Sequence, residues 1–269
     1  MVLINGKSEQ YLNITDRGLQ YGDGLFETVH VNQGQPVFLH EHLHRLKQGC
    51  ERLLIPCPAL DVLSKEAIQL ASPSTQAVLK IIVTRGSGGR GYRQPDCIMP
   101  TRILSLHPYP DYPAHFKQLG VVARFCQTRL GLNPSLAGIK HLNRLEQVLA
   151  RAEWQDAGIQ EGLMLDALDR VIEGTMSNLF YIKNQTLITA PLTFSGVAGI
   201  MRAQILRLAT LHDLPVKQVY FSQEALLAAD ELFLTNSIIG IWPVKQLEQQ
   251  VFPVGEATQK MMASLEQST

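Results

Sequence analysis

The chain opens with the apolar run 2–4, closed by Asn5-Gly6, a pair that favours a tight turn, and this predicts a short strand. Over residues 40–54 the spacing changes. Leu43, Leu46, Cys50, Leu53 and Leu54 recur with helical periodicity, which predicts an amphipathic helix ended by Pro56 and Pro58. Residues 77–84 (AVLKIIVT) form a β-branched run that predicts a buried strand, and a glycine-rich stretch, 85–92, follows it. Residues 102–106 and 121–126 carry the strand signature again. Between them lies Pro108-Tyr109-Pro110-Asp111-Tyr112-Pro113, where three prolines in six residues predict an extended, semi-rigid connection. A domain boundary is placed there, giving a smaller N-terminal part, 1–109, and a larger C-terminal part, 110–269.

The second part alternates more clearly. A helix is predicted over 141–154, then a hairpin from 162–166 and 170–172 turned at Leu168-Asp169. A second strand pair, 179–182 and 186–189, turns at Lys183-Asn184. Gly199 precedes a predicted helix over 200–211. Strands follow at 216–221 and 231–235, with a short helix between them. The class is therefore α/β or α+β with mixed sheets, in two domains.

Composition narrows the function classes. Hydrophobic residues are 45% and charged residues 18% of 269, enough for a substantial core, and the formal net charge is +0. No global field favours nucleic acid or an anionic membrane. The N-terminal run turns polar too soon for a signal peptide, and no apolar run is long enough to span a bilayer. Cys50, Cys57, Cys97 and Cys126 form no C-x-x-C pair, so a reducing compartment, the cytoplasm, is the expectation.

Two motifs point to chemistry that their surroundings do not support. Gly86, Gly88 and Gly91 satisfy G-x-G-x-x-G after a strand, but a dinucleotide site needs a helix to start there, and Tyr92-Arg93-Gln94-Pro95-Asp96 does not read as one. Arg85 and Arg90 flank these glycines, and a guanidinium fork matches a carboxylate. His40-Glu41-His42-Leu43-His44 matches H-E-x-x-H, yet no convincing further zinc ligand lies downstream, so no metal is expected.

Three further segments carry the strongest signal. They are Asp16 to Thr28 (DRGLQYGDGLFET), Gly138 to Arg144 (GIKHLNR), and Glu173 to Arg202, which begins EGTMSNLF and ends VAGIMR. In this order and spacing they resemble the fold-type IV pyridoxal-phosphate (PLP) family over nearly the whole chain. That family holds branched-chain aminotransferases, D-amino-acid aminotransferases and aminodeoxychorismate lyase. The loop 85–92 (RGSGGRGY), the phrase 138–145 and the compact length resemble the lyase branch.

The resemblance implies two mixed α/β domains with the cofactor at their interface, the larger one carrying the PLP lysine and the phosphate cup. It makes Lys140 the residue that holds PLP as a Schiff base, and Glu173 the carboxylate beside the pyridine nitrogen. A lysine amine and a proton-holding carboxylate are what PLP chemistry needs. Gly199 followed by a helix start fits a phosphate, with Ile200 and Met201 as backbone donors. Resemblance adds Arg45, Asn236 and Ser237 to that cup. Phe26 and Glu27 are expected on the substrate side, and Arg90, with Tyr92 and Arg102 after it, is expected to meet substrate carboxylates. The implied reaction converts 4-amino-4-deoxychorismate to 4-aminobenzoate and pyruvate for folate synthesis. Branched-chain or D-amino-acid transamination on the same scaffold is the alternative, and a non-catalytic binding protein is a third reading. The family also implies a homodimer.

Overall fold

A computed structural model describes residues 1–267. By contacts the chain divides into two units. The first comprises residues 1–110 with 139–143, and the second 111–138 with 144–269. The segment carrying Lys140, expected with the C-terminal part, thus packs with the first unit. The reason lies in its backbone, described below.

The first unit runs β1 (Val2–Ile4), β2 (Lys7–Ser8), α1 (Arg17–Tyr21), β3 (Gly24–Asn32), β4 (Gln35–Pro36), α2 (Leu39–Arg52), α3 (Leu60–Ala71), β5 (Gln76–Thr84) and β6 (Thr101–Pro108). Its six-stranded sheet has the order β2-β1-β6-β5-β3-β4, and its pairings are antiparallel. β3 alternates: Leu25, Glu27, Val29 and Val31 are buried, while Phe26, Thr28, His30 and Asn32 are half-buried. That period-two pattern turns one face to the core formed with α2 and α3. α2 offers the matching stripe of Leu39, His42, Leu43, Leu46, Gly49 and Cys50.

Residues 139–143 join this unit by pairing with β3. The Phe26 amide donates to the Lys140 carbonyl (3.0 Å), the Leu142 amide donates to the Gly24 carbonyl (3.0 Å), and Leu25 bridges His141 antiparallel. Ile139 enters the core. This corrects the expected helix over 141–154. Its first residues are held extended along β3, and the helix spans only Leu145–Arg151.

The second unit runs α4 (His115–Leu119), β7 (Val121–Leu130), α5 (Leu145–Arg151), β8 (Glu161–Asp166), β9 (Val171–Gly174), β10 (Asn178–Lys183), β11 (Thr186–Thr189), α6 (Ile200–Leu211), β12 (Val216–Gln218), α7 (Gln223–Leu227), β13 (Glu231–Asn236), β14 (Gly240–Leu247), β15 (Gln250–Val251) and α8 (Glu256–Glu266). Its nine-stranded sheet follows β12-β11-β10-β13-β14-β7-β8-β9, with β15 on β14. The pair Asn178↔Glu173 joins β9 back to β10, closing a ring of six strands. β8, β9 and most of β10 are buried on both faces, so Glu161, Asp166 and Glu173 are carboxylates inside the protein. Trp242, Leu163, Met164, Leu234 and Val244 fill the core of this unit.

Candidate active site

In the first unit, β3 and the 139–143 segment place Lys140 against Phe26, whose ring centroid lies 4.4 Å from Nζ. Lys80, opposite Thr28 on β5, puts its own Nζ 5.4 Å from the same centroid. Two lysine side-chain nitrogens therefore lie near one aromatic ring. Lys80 was not singled out in the sequence, where it reads as a polar interruption in a buried strand.

Behind this pair sits a buried polar cluster. Glu27 points into the core from β3 and accepts from two α2 side chains. His42 Nδ1 lies 2.6 Å from its Oε2, Arg45 Nε donates to Oε1 at 2.8 Å, and an Arg45 terminal nitrogen closes on Oε2. Burial alone would raise the Glu27 carboxyl. The Arg45 charge and the His42 hydrogen bond outweigh it and hold the group down to about 2. Burial pushes His42 below its ordinary value against the pull of Glu27, and the charge of Lys140 pushes the same way. The bond to a carboxylate, an acceptor only, places the imidazole proton on Nδ1. Glu27, expected on the substrate side, is thus a core carboxylate holding Arg45 and His42. The H-E-x-x-H histidines divide accordingly. His42 faces the core, while His40 and His44 are exposed with their rings stacked 6.4 Å apart.

Three arginines near the glycine loop have structural roles. Arg85 is buried and bonded to Asp23 and to the Leu53 and Leu54 carbonyls. It is therefore not placed to clamp a substrate carboxylate. Arg102, expected to meet substrate carboxylates, donates through Nε and Nη2 to Glu66, so its fork meets a protein carboxylate in this structure. Arg17, which the sequence placed within the Asp16 to Thr28 segment without a role, bonds Asp23 (2.9 Å) and reaches the Gly91 carbonyl (3.0 Å) inside the loop. Asp16 anchors the loop's base by accepting from Thr84, Thr101 and the Gly18 amide. No helix follows the glycines. Arg90 and Tyr92 stand exposed on this loop, with the Tyr92 ring against Tyr21.

In the second unit, Glu173 is buried at the end of β9. Its Oε2 accepts from the Val197 amide (2.8 Å) and, more weakly, from Asn178 Nδ2 (3.4 Å). Asn178 Nδ2 also donates to the Val197 carbonyl (2.9 Å), so strand ends and the lead into α6 are tied together. Gly199 caps α6, and no side chain caps it. A Cβ at Gly199 would come 2.0 Å from Asn178 Oδ1, so only glycine lets the helix start this close to the Glu173 hairpin. The first amides of a helix lack intrahelical acceptors, and Ile200 and Met201 are buried there. Two nearby donors are buried without a hydrogen-bond partner, Ser195 Oγ and Arg202 Nε. Burial lowers the Arg202 guanidinium, and the Glu173 charge opposes that. Asn236 departs from a pure cup role. Its side chain donates to the Met176 carbonyl (3.0 Å) and accepts from the Ile238 and Ile239 amides, shaping its own loop around Ser237.

Each unit thus carries part of the expected set. Lys140, Phe26, Glu27 and Arg45 belong to the first, and Glu173, Gly199, Ile200, Met201, Asn236 and Ser237 to the second. The chemistry fits PLP: an amine for the imine, a buried carboxylate, an uncapped helix start and orphaned buried donors beside it in sequence.

The comparisons with known proteins agree in direction. A crystal structure of 4-amino-4-deoxychorismate lyase from Pseudomonas aeruginosa is 48% identical, with a TM-score of 0.96, covering 99% of this chain and 98% of that one. An aminodeoxychorismate lyase of Vibrio harveyi is 35% identical over 98% of this chain and 99% of its own. A putative branched-chain-amino-acid aminotransferase of Methanocaldococcus jannaschii is 31% identical over 97% of this chain and 93% of its own. The family model for amino-transferase class IV matches residues 24–247. The chain belongs to the amino-transferase class IV family.

Proposed function

We propose that the chain is a PLP-dependent lyase that converts 4-amino-4-deoxychorismate to 4-aminobenzoate and pyruvate. The observation that carries this reading is the 48% identity, over essentially the full length, to a structure described as that lyase. The amine on Phe26 and the buried Glu173 beside the α6 lead-in support it. Lys140, Glu173, Gly199, Ile200, Met201, Arg45, Asn236 and Ser237 are the cofactor residues in this reading.

PLP supplies an electron sink for the pair left behind when a C–H bond beside the substrate nitrogen breaks. Lys140 Nζ takes that ring proton as general base. The electron pair moves through the ring and expels the enolpyruvyl oxygen, the C–O bond breaks, and the ring becomes aromatic. Lys140 then returns a proton to the departing three-carbon unit, which leaves as pyruvate. Glu173 keeps a proton on the cofactor's ring nitrogen. The α6 amides and its positive dipole end hold the phosphate. Phe26 gives an apolar wall that shields the amine from water. The substrate's two carboxylates need cations, and Lys80 and Arg90 are the candidates.

The finer assignments are a homodimer in the cytoplasm. Exposed apolar side chains on α5 (Leu145, Val148 and Leu149) and around the N-terminal loop (Tyr11, Ile14 and Leu19) support self-association. The four cysteines are unpaired, as a reducing compartment favours. Among the described residues no helix is long and apolar enough to cross a membrane.

The test is to incubate PLP-loaded protein with 4-amino-4-deoxychorismate and quantify both products beside Lys140→Ala. Equal amounts of 4-aminobenzoate and pyruvate, absent in the variant, are expected. A yellow protein that makes neither product, but moves the amino group of leucine or D-alanine to 2-oxoglutarate, would replace the lyase by the aminotransferase.

A further inference from the structure

Glu161 begins β8 and is fully buried. Buried carboxylates usually meet a cation. Glu161 has no ion pair among the described residues and is satisfied by neutral donors instead. Oε1 accepts from the Gly162 amide (3.0 Å), the Thr175 amide (3.1 Å) and the Thr175 hydroxyl. Oε2 accepts from the Met176 amide (3.3 Å) and the Ser177 hydroxyl (2.8 Å). Four of these five donors come from the turn 175–177, which joins β9 to β10. The turn is wrapped around one carboxylate. A Cβ on Gly174 would come 2.8 Å from Glu161 Oε2 and 2.4 Å from Ser177 Oγ, so the fit leaves no room for another residue.

What the turn carries makes this more than local packing. Its two ends are Glu173 and Asn178, register partners whose side chains hold each other and Val197 in the lead to α6. Its middle, the Met176 carbonyl, accepts from Asn236, whose other amide atom fixes the loop 236–239. The Glu173 carboxylate, the α6 lead and the Asn236 loop therefore share one reference point.

We infer that Glu161 is a positioning residue for the cofactor site, holding the 174–178 turn so that Glu173 and the Asn236 loop stay in register with the start of α6. The inference rests on the PLP reading above. Glu161 touches neither substrate nor cofactor in this scheme and acts through the turn. Burial raises its carboxyl, and the hydrogen bonds from Thr175 and Ser177 pull against that shift.

The test compares the wild-type holoenzyme with E161Q, with the double variant T175V/S177A, and with L187A, a core truncation in β11 away from the turn. Glutamine keeps the shape but turns an acceptor into a donor that faces donors. Three readouts are taken: the melting temperature, the PLP dissociation constant and the visible absorbance maximum of the bound cofactor. In E161Q, and more mildly in T175V/S177A, the PLP dissociation constant should rise about tenfold or more, the effect of losing a supporting partner at metal sites. The absorbance maximum should move as Glu173 leaves the ring nitrogen. L187A should lower the melting temperature with the other two readouts unchanged. If E161Q and the double variant behave like L187A, Glu161 only stabilises the hairpin and the inference falls. If E161Q does not fold, the double variant decides alone by the same criterion. A wild-type protein that takes up no PLP would instead overturn the functional reading, and this inference with it.

Discussion

At the scale of single residues, the site depends on charges held where water would not leave them. Lys140→Ala removes the amine from the face of Phe26. Product formation should fall by at least about a thousandfold, within the range of acid–base catalysis, and the visible band of the holoenzyme should be lost, both read on one preparation. Glu27 makes a different prediction. Its folded value, about 2, lies below the unfolded 4.5. A depressed carboxyl contributes stability that is complete above the unfolded value and is lost as pH falls from about 4.5 towards 2. For a fully buried group the contribution at neutral pH is on the order of 3 kcal/mol. His42, also depressed by burial, loses its contribution in the same direction as the solution is acidified. Urea unfolding at pH 7 and pH 3 should show wild type losing more stability on acidification than Glu27→Gln. Equal losses would mean that the carboxylate is not ionised in the folded protein.

At the scale of elements, the sequence revealed most where periodicity was unbroken. α2, β5 and α6 lie close to their expected spans because their apolar spacing is regular. β3, a nine-residue strand beside the site, escaped notice because Glu27 occupies an inward position and breaks the alternation that Leu25, Val29 and Val31 would otherwise show. β14 was hidden by Pro243, which sits in register with Phe233 although proline argues against a central strand. The helix over 141–154 was overdrawn because backbone pairing to β3 leaves no trace in side-chain pattern. Roles behaved likewise. Lys140 and Glu173 stood out through their motifs, whereas the partners of Arg85 and Arg102, namely Asp23 and Glu66, lie far away in sequence. Gly199 was legible as a helix start, but its closeness to Asn178 was not. Gly199→Ala is compatible with the backbone at φ −64°, so the fold should survive. Its Cβ would displace Asn178 or the helix start, and the protein should lose PLP about tenfold more readily on dialysis, by analogy with loss of supporting contacts.

At the scale of the whole molecule, each unit has its own apolar core, yet the chain does not visit them in sequence. It leaves the first unit after Pro110, returns for residues 139–143, and leaves again. The proline-rich connection at 108–113 is therefore not a simple linker between independent halves. Residues 139–143 are held by backbone hydrogen bonds to Gly24 and Phe26, and Ile139 is buried in the first core beside Gly49 of α2. A protease site engineered between Pro110 and Asp111 gives this consequence a test. Cleavage there should leave the two fragments eluting together on size exclusion under native conditions, because the C-terminal fragment still donates residues 139–143 to β3. The fragments should separate only in denaturant. Expressed alone, residues 1–110 lack Ile139 in their core and the partner for the start of β3, and should be less stable by about 2–5 kcal/mol, the cost of a large buried aliphatic vacancy. Free separation of the native nicked halves would show that the 139–143 pairing contributes little. The lysine's place on Phe26 would then depend on chain connectivity alone, and nicking would abolish activity without unfolding either part.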